Sequence, residues 1–529
     1  MVATPSVLVA YAFALAACST LSSVDAAPFE LLPVSPLKPG AKTPEQLTGH
    51  EEVAGVLDTE LAAARIEAKN QRQLEGFPDL FGYTDVDKIN DFLSFYSLPT
   101  AELNAPALLE KYQAARLKHT PWPGNYWAST ADGINNRWDG LDTQSPVEKY
   151  ALAYGKDGKK IADAVSASSG VDLYRSQNAP ACSSTSDCSG GAVCSKRRDA
   201  AKGLCLPGWY GICHAWATAA LLEPEPRCNV VKNGVVFKPY DIKGLISQFY
   251  NENVAGSTQV GTRYYGAGAE GYRPGTDAFN RYNDDTRRDV GAGLLHIALT
   301  NIMGANGRGM IIEHDNTEAV WNQPVLAYEI LEMRDVDSWT FQKNVNGVDT
   351  SVVMTPDLGT YDFNRKAKKL KYTRTKITWI EEAYVDGELA TPDKIGKYTR
   401  SKEYEYVLET DFDDNIVGGE WVGSSLHDHP DFLWWPTGGV DADTVSSDGL
   451  SYVDLKELVN LSVSCQATPA PPTTPPPTTT APPPTTTAPP STTAPPPTTA
   501  GPVTKPPSTD DPSTGKPSGK PTLSPEPSS

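Results

Sequence analysis

The sequence predicts an α+β fold, because helix-type and strand-type patterns occupy separate parts of the chain. From 48 to 95, apolar residues recur at intervals of three and four, which is typical of amphipathic helices. Two later stretches, 369–385 and 402–423, alternate apolar and polar residues in the manner of strands. The acidic turn DFDDN inside the second stretch predicts an antiparallel hairpin there.

Composition divides the chain into four regions. Residues 1–26 contain an apolar run followed by small residues, which predicts a secretory signal peptide. Residues 27–110 form an N-terminal helical region or a pro-segment, and 111–465 form the main globular domain. Residues 466–529 repeat Thr and Pro and lack the apolar side chains that would offset ordering entropy, so we expect a disordered stalk suited to O-glycosylation.

Charge and hydropathy restrict the classes of partner. The formal net charge is −19, which argues against nucleic-acid binding and gives no attraction to anionic membrane surfaces. No segment after the leader is long and apolar enough for a membrane span. Asn460 opens an Asn-Leu-Ser acceptor for N-glycosylation. We therefore expect a secreted, extracellular glycoprotein, with a stalk that suits association with a cell wall.

The cysteine count is odd once the leader is removed. Loss of Cys18 leaves seven cysteines, and a leftover cysteine in a secreted protein is a reactive thiol or an intermolecular link. Four of the seven lie among small polar residues in 182–205, where we expect two disulfides of open connectivity. The four loop cysteines are Cys182, Cys188, Cys194 and Cys205. Pairing Cys228 with Cys465 then leaves Cys213 as the cysteine outside any disulfide.

The surroundings of Cys213 suit a nucleophile. Gly208 and Gly211 allow a tight turn before it, and HAWATAALLE continues with good helix formers. A helix N-terminus stabilises a thiolate, which is the reactive form of cysteine. His214 is adjacent but would point from a different helix face, so it is a poor base.

A base and an orienting acid are predicted from HIALTNIMGANGRGMIIEHD, residues 296–315. Two apolar runs flank a Gly/Asn-rich turn, and a hairpin would bring His296 beside Asp315. A register shift of one residue would make His314 the alternative base. The alternative interpretation of His296 is a buried core histidine.

Two further clusters have weaker patterns. His427 and His429 could bind a metal ion, although such a loop is more often structural. Asp411, Asp413 and Asn415 are spaced like the start of a calcium loop, but the Gly and Glu required at its sixth and twelfth positions are missing. A hairpin turn is therefore favoured for the acidic residues. We expect no organic cofactor for the protein.

Two motifs resemble known families. GICHAWATAA, residues 211–220, resembles the G-x-C-x-A-aromatic stretch of papain-like proteases, and the Cys-His-Asp order resembles both these enzymes and transglutaminases. EAVWNQPVLAYEILE, residues 318–332, resembles the surface peptide of the oomycete (Phytophthora-type) transglutaminase elicitor family. The matching elicitor motif consists of Val320, Trp321, Asn322, Gln323, Pro324 and Val325. Residues 326–329 differ, because Leu-Ala-Tyr-Glu stands where that peptide has Arg-Gly-aromatic-Lys.

The resemblance implies a papain-like or transglutaminase-type core, in which the helix bearing the cysteine packs on an antiparallel sheet. It implies a secreted, calcium-dependent protein-glutamine γ-glutamyltransferase that joins Gln and Lys side chains of protein substrates. Cys213 would form the thioester, His296 would transfer protons and Asp315 would orient it. Trp209 is a candidate oxyanion donor, since transglutaminases use a Trp. A plant receptor for the elicitor motif is implied as a partner.

Two other functions stay open. A papain-like protease shares the acyl-thioenzyme and differs only in using water as the acceptor. A non-enzymatic elicitor or adhesin associated with the cell wall would use the stalk and would require Cys213 to be in a disulfide.

Overall fold

The computed structural model describes residues 83–252, 257–269, 271–288, 290–345, 347–356, 359–436 and 440–465. The expected signal peptide, the Thr/Pro-rich stalk and the first part of the N-terminal region lie outside these residues. Within the described ranges, none of the helices combines the length and the apolarity needed to cross a membrane.

The helices differ in length from one turn to four. They are α1 (Tyr83–Phe95), α2 (Ala105–Tyr112), α3 (Pro146–Tyr154), α4 (Gly158–Ser168), α5 (Leu173–Ser176), α6 (Cys213–Leu222), α7 (Pro239–Glu252), α8 (Ala292–Ala298) and α9 (Tyr452–Ser464), with a π-helix over Leu299–Ala305.

The strands are concentrated in the second half of the chain. They are β1 (Ala114–Arg116), β2 (Ala181–Cys182), β3 (Val193–Ser195), β4 (Gly203–Leu206), β5 (Val230–Lys232), β6 (Val235–Phe237), β7 (Ser257–Gly261), β8 (Ile311–Glu313), β9 (Asn322–Val336), β10 (Trp339–Val345), β11 (Val348–Met354), β12 (Lys369–Ile380), β13 (Thr399–Thr410), β14 (Ile416–Trp421) and β15 (Phe432–Pro436).

The main sheet has eight strands in the order β14-β13-β12-β9-β8-β15-β7, and β1 pairs with β9. Every pairing in this sheet is antiparallel. The structure confirms the strand predicted within 369–385 and the hairpin predicted within 402–423. At the hairpin turn, Asp411 Oδ1 accepts hydrogen bonds from the backbone N–H groups of Asp413 and Asn415, so this carboxylate stabilises the turn.

Helix α6 lies between two hydrophobic clusters. Ala217 and Leu221 pack with the sheet and α8, whereas Ala215 and Trp216 pack with α3, α7 and α9. Its residues from Cys213 to Leu221 are all buried. An apolar surface on every side is what a central helix requires. The sequence therefore places the helix that begins at Cys213 in the middle of the molecule.

The described part of the predicted N-terminal region belongs to the same core. Ile89, Phe92 and Leu93 of α1 are almost fully buried in the cluster that contains the sheet. The Phe92 ring packs edge-on against Trp435 of β15, with 5.3 Å between ring centroids. Residues 83–95 are thus part of the main domain rather than a separate subdomain.

The cysteine pairing agrees with the prediction and resolves its open part. The loop disulfides join Cys182 to Cys194 and Cys188 to Cys205, across the small sheet β2-β4-β3. A third disulfide joins Cys228 to Cys465. Cys213 keeps its thiol.

The hairpin predicted for 296–315 is wrong. His296 lies in α8, the chain continues as the π-helix, and the strand β8 begins only at Ile311. All residues from Ala292 to Met303 are buried. A segment buried on every side shows no alternation of apolar and polar residues, so periodicity alone could not separate helix from strand.

Candidate active site

Cys213 is held at the first turn of α6 by a close backbone contact. The N–H of Ile212 donates to the carbonyl oxygen of Tyr126 at 2.6 Å. A Cβ atom at Gly211 would lie 2.4 Å from that same oxygen, so the turn requires glycine at this position. The start of α6 is therefore fixed against the loop that contains Tyr126.

The Cys213 thiol contacts the segment that leads into β9. Its side chain is nearly enclosed, with 3% of the residue surface exposed. Sγ lies 3.7 Å from the carbonyl oxygen of Val320 and 3.9 Å from Nδ2 of Asn322. We call residues 320–322 the thiol-contact segment.

Trp434 determines which end of the Asn322 amide faces the sulfur. The indole Nε1 of Trp434 lies 2.6 Å from Asn322 Oδ1. An indole N–H can only donate, so the atom facing it must be the amide oxygen. The NH₂ group of Asn322 therefore faces Cys213, as a donor directed at the thiol.

A buried carboxyl group supports the thiol-contact segment. Glu313 is the direct cross-strand neighbour of Asn322, so both side chains project from the same sheet face. Its Oε1 accepts from the N–H of Trp321 at 3.0 Å and from the N–H of Asp315 at 3.1 Å. Burial, together with the charge of Asp431, raises the pKa of Glu313 well above its usual value.

Trp209, the candidate oxyanion donor, belongs to a cluster built on one guanidinium. The Arg263 guanidinium lies 5.5 Å from the Trp209 ring centroid and 5.0 Å from that of Tyr265. The same guanidinium donates to the carbonyl oxygen of Glu318 at 3.4 Å. These contacts show Trp209 stacked with a cation, and its catalytic role stays a prediction.

Aromatic rings continue from the thiol-contact segment to the surface. Trp321 packs edge-on against Tyr126, at 5.6 Å between centroids, and Tyr126 packs edge-on against Tyr384 at 6.0 Å. Tyr384 is 65% exposed. A substrate that approaches Cys213 from this side would meet a surface of aromatic rings.

His296 occupies a closed pocket under β13. The residue is 1% exposed, and its Nδ1 lies 2.8 Å from the hydroxyl of Tyr406, which in turn lies 2.7 Å from Thr375 Oγ1. Burial lowers the pKa of His296 to about 3, so the ring is neutral near pH 7. This environment matches the alternative interpretation of His296 as a core histidine.

Asp315 and His314 have other neighbours. Asp315 Oδ1 accepts from the N–H of Thr317 and so stabilises the turn between β8 and β9. The ring of His314 stacks on Trp379, with 5.0 Å between centroids, and burial lowers its pKa. The predicted contact between His296 and Asp315 depended on a hairpin that the structure does not form.

The elicitor motif lies inside the molecule rather than on its surface. Five of the six motif residues are buried, and Trp321 is partly exposed. The buried residues are Val320, Asn322, Gln323, Pro324 and Val325. Most of the motif forms the start of β9, next to β8. The motif therefore supplies core residues and the contacts of the thiol, and its recognition by a plant receptor stays a prediction.

The two histidines considered as metal ligands have separate neighbours. His429 Nδ1 lies 2.8 Å from the Ser425 carbonyl oxygen and its ring stacks on Trp421, whereas the ring of His427 packs against Tyr282. In the described part of the chain, one group of three possible ligands is close enough for a metal, and it consists of half-cystines. Calcium prefers oxygen ligands, so this group does not fit it.

Sequence reasoning missed Glu313 and Trp434, and it assigned Asn322 only to the elicitor motif. The available signal was an isolated acid at the end of an apolar strand, IIE, and a tryptophan pair in FLWWP. A buried indole needs an acceptor and a buried carboxyl needs donors, but the sequence does not show which partners the fold supplies.

The comparisons with known proteins assign the chain to a family. The family model described as Transglutaminase elicitor matches residues 86–465. The chain belongs to the transglutaminase elicitor family. This match includes Cys213, Asn322 and Glu313, so the thiol site lies within the part of the chain that defines the family.

A solved structure supports the same assignment. The crystal structure of the GP42 transglutaminase from Phytophthora sojae is similar, with 34% sequence identity and a TM-score of 0.59. The similarity covers 73% of this chain and 99% of that one. A comparison with curated protein sequences finds no match. The transglutaminase elicitor fold is thus a mixture of helices and antiparallel sheet.

Proposed function

We propose that the protein is an extracellular transglutaminase that forms a thioester at Cys213 with a glutamine side chain and transfers the acyl group to a lysine amine. The observation that carries this proposal is the thiol at the first residue of α6, in contact with an amide whose orientation is fixed by Trp434. Family membership and the similarity to a transglutaminase structure support the reaction class.

The two half-reactions balance through the thiol. In the first, sulfur attacks the glutamine carboxamide carbon, the C–N bond breaks, and the thiol proton leaves with the nitrogen as ammonia. In the second, the lysine amine attacks the thioester carbon, the C–S bond breaks, and a proton from the amine returns to sulfur. The products are an isopeptide bond and the original thiol.

Two features of the site favour the first step. The N-terminus of α6 carries partial positive charge, which stabilises a thiolate at Cys213. The Asn322 N–H donor lies beside the same sulfur, where it would stabilise the thiolate that attacks the carboxamide. The thiol is enclosed in the structure, so binding of glutamine requires neighbouring side chains to move.

Amine incorporation is the direct test. Wild-type protein should incorporate a dansylated amine into casein, whereas Cys213→Ala and Cys213→Ser should show only background incorporation and retain the wild-type melting temperature. Release of casein peptides without amine incorporation would favour the protease. Activity that persists in both variants would overturn the assignment of the nucleophile.

The environment of the protein follows from its chemistry. Three disulfides suit an oxidising, extracellular location. The stalk, the N-glycan at Asn460, which is exposed on α9, and the calcium requirement are predictions from the sequence and the resemblance. Dialysis against a chelator, followed by the amine incorporation assay with and without added calcium, tests the last of these.

We also propose that a plant receptor would recognise the elicitor motif in a released or unfolded form. The support is the burial of five of its six residues. A synthetic peptide spanning 318–332 should trigger a defence response in plant cells at a lower concentration than the folded protein. Equal potency of the two, with the protein recovered intact, would contradict this proposal.

A further inference from the structure

Glu313 is a buried acid without a compensating charge. The residue is 0% exposed, and in the described ranges no lysine or arginine forms an ion pair with it. Its Oε1 accepts two backbone hydrogen bonds, while Oε2 is buried without a hydrogen-bond partner. A lone carboxylate in such a place is strongly disfavoured, because burying an isolated charge is far more costly than burying a neutral polar group.

The surroundings of the acid favour its protonated form. Burial is the main cause of the raised pKa of Glu313, and the carboxyl groups of Asp431 and Asp315 raise it further. A neutral carboxyl group keeps one carbonyl oxygen as acceptor and places its proton on the other oxygen. Oε1 fits the first role, since it receives both N–H groups, and Oε2 fits the second.

The two hydrogen bonds of Oε1 hold the thiol-contact segment. One donor is the N–H of Trp321, which is the middle residue of that segment. The residues on either side of Trp321 supply the carbonyl oxygen and the amide nitrogen that lie 3.7 and 3.9 Å from Sγ of Cys213. The other donor, the N–H of Asp315, joins the opposite end of the same turn to the same oxygen.

We infer that Glu313 is a positioning residue for the Cys213 thiol and that it acts as a neutral carboxylic acid, through the backbone of the thiol-contact segment. The inference rests on the proposed function of Cys213 as the nucleophile. This positioning role differs from that of an ionised base. A positioning acid needs an acceptor oxygen at the right distance from the two backbone N–H groups, and it needs no charge.

Two conservative variants separate these roles. Glu313→Gln keeps the side-chain length and the acceptor carbonyl but cannot ionise. Glu313→Asp keeps the acid but is one methylene shorter, so it cannot reach both N–H groups without movement of the turn. Glu318→Gln is the matched control, because it removes an exposed carboxyl from the same turn.

The experiment measures kcat and KM for amine incorporation and the rate of Cys213 alkylation by iodoacetamide, all on folded full-length protein. We expect Glu313→Gln and Glu318→Gln to stay within about threefold of wild type in kcat and in alkylation rate. We expect Glu313→Asp to lose about tenfold in kcat and to change its alkylation rate, with KM within about twofold of wild type.

The opposite order would overturn the inference: an active Glu313→Asp with an inactive Glu313→Gln would show that the charge matters. Wild-type behaviour of both variants would also overturn it, since the contact would then position nothing that the reaction uses. The alkylation rate does not depend on crosslinking, so this measurement still tests the role of Glu313 if Cys213→Ala shows that the proposed function is wrong.

Discussion

The thiol site and the His296 pocket are both buried, but they differ in the polar groups that surround the central side chain. Around His296, a histidine nitrogen, a tyrosine hydroxyl and a threonine hydroxyl form contacts of 2.7 and 2.8 Å. At Cys213, the contacts to sulfur are 3.7 and 3.9 Å, and one comes from an amide that Trp434 holds in place. The first network joins three side chains inside the core, and among the described residues Nε2 of His296 has no hydrogen-bond partner, whereas the second ends on the thiol of Cys213.

This difference separates a structural histidine from a candidate catalytic cysteine. A histidine whose pKa is lowered to about 3 binds a proton too weakly to serve as a base near neutral pH. A thiol at a helix N-terminus can ionise and still react. Burial alone therefore marks neither residue as catalytic, and the groups around each one decide its chemistry.

Removal of the Asn322 amide should produce the largest effect on the thiol site after loss of the cysteine itself. Asn322→Leu keeps a similar volume but removes the donor that would hydrogen-bond the thiolate, so we expect kcat for amine incorporation to fall about 100-fold. Trp434→Phe is the companion variant. It leaves the amide without its anchor, and we expect a loss of about tenfold.

Both variants should be compared at equal folded fraction, measured by thermal unfolding. Activity of Asn322→Leu within twofold of wild type would contradict the proposed role of Asn322, because the thiol would then need no donor beside it.

The turn before Cys213 allows a test with a matched control. A methyl group at Gly211 would press on the backbone of Tyr126, whereas one at Gly208 would meet nothing within 4 Å. We expect Gly211→Ala to lower kcat about tenfold by shifting the start of α6, and Gly208→Ala to leave it unchanged. Equal activity of the two variants would show that the position of this turn does not control the thiol.

A substitution in the His296 pocket should affect stability more than activity. His296→Gln disturbs the buried contact with the Tyr406 hydroxyl, so we expect a loss of about 1–3 kcal/mol in unfolding free energy and a change of less than about threefold in kcat. Chemical denaturation and the amine incorporation assay measure the two effects. Loss of activity without loss of stability would restore His296 as the base and reverse the comparison.

The smallest expected effect concerns Glu382, whose carboxyl contacts Gln323, the residue that follows the thiol-contact segment. Burial raises the pKa of Glu382 to about 7 from 4.5, although a hydrogen bond from Gln323 opposes the shift. The folded state therefore holds this proton more tightly than the unfolded state. The resulting stabilisation is complete below the unfolded pKa and is lost as the pH rises through the folded pKa.

Unfolding free energies measured from about pH 5 to about pH 8 should consequently fall more for wild type than for Glu382→Gln, which cannot titrate at this position. Parallel curves for the two proteins would contradict the assigned shift.

Local patterns predicted the parts of the fold that depend on neighbours in sequence. Alternation in 369–385 and 402–423 located two long strands and a hairpin, and the parity of the cysteines isolated Cys213. The hairpin predicted for the segment that begins at His296 was wrong, because a fully buried helix and a fully buried strand present the same apolar run.

Long-range contacts explain why the site was incomplete. Asn322 and Trp434 are 112 residues apart in sequence and lie on different strands, so no local pattern encodes their contact. Glu313 contacts the thiol-contact segment because of the register of β8 on β9. Register depends on the whole sheet, so the sequence isolated the candidate nucleophile but not the groups that surround it.

The formation of an acyl-enzyme at Cys213 tests the central claim most directly. Native protein would be incubated with a glutamine donor peptide in the absence of amine, quenched in acid, digested with pepsin and analysed by mass spectrometry. The proposed mechanism predicts a mass increase equal to the donor minus ammonia, located at Cys213 and absent from Cys213→Ala. An adduct at another residue, or an equal adduct in Cys213→Ala, would contradict it.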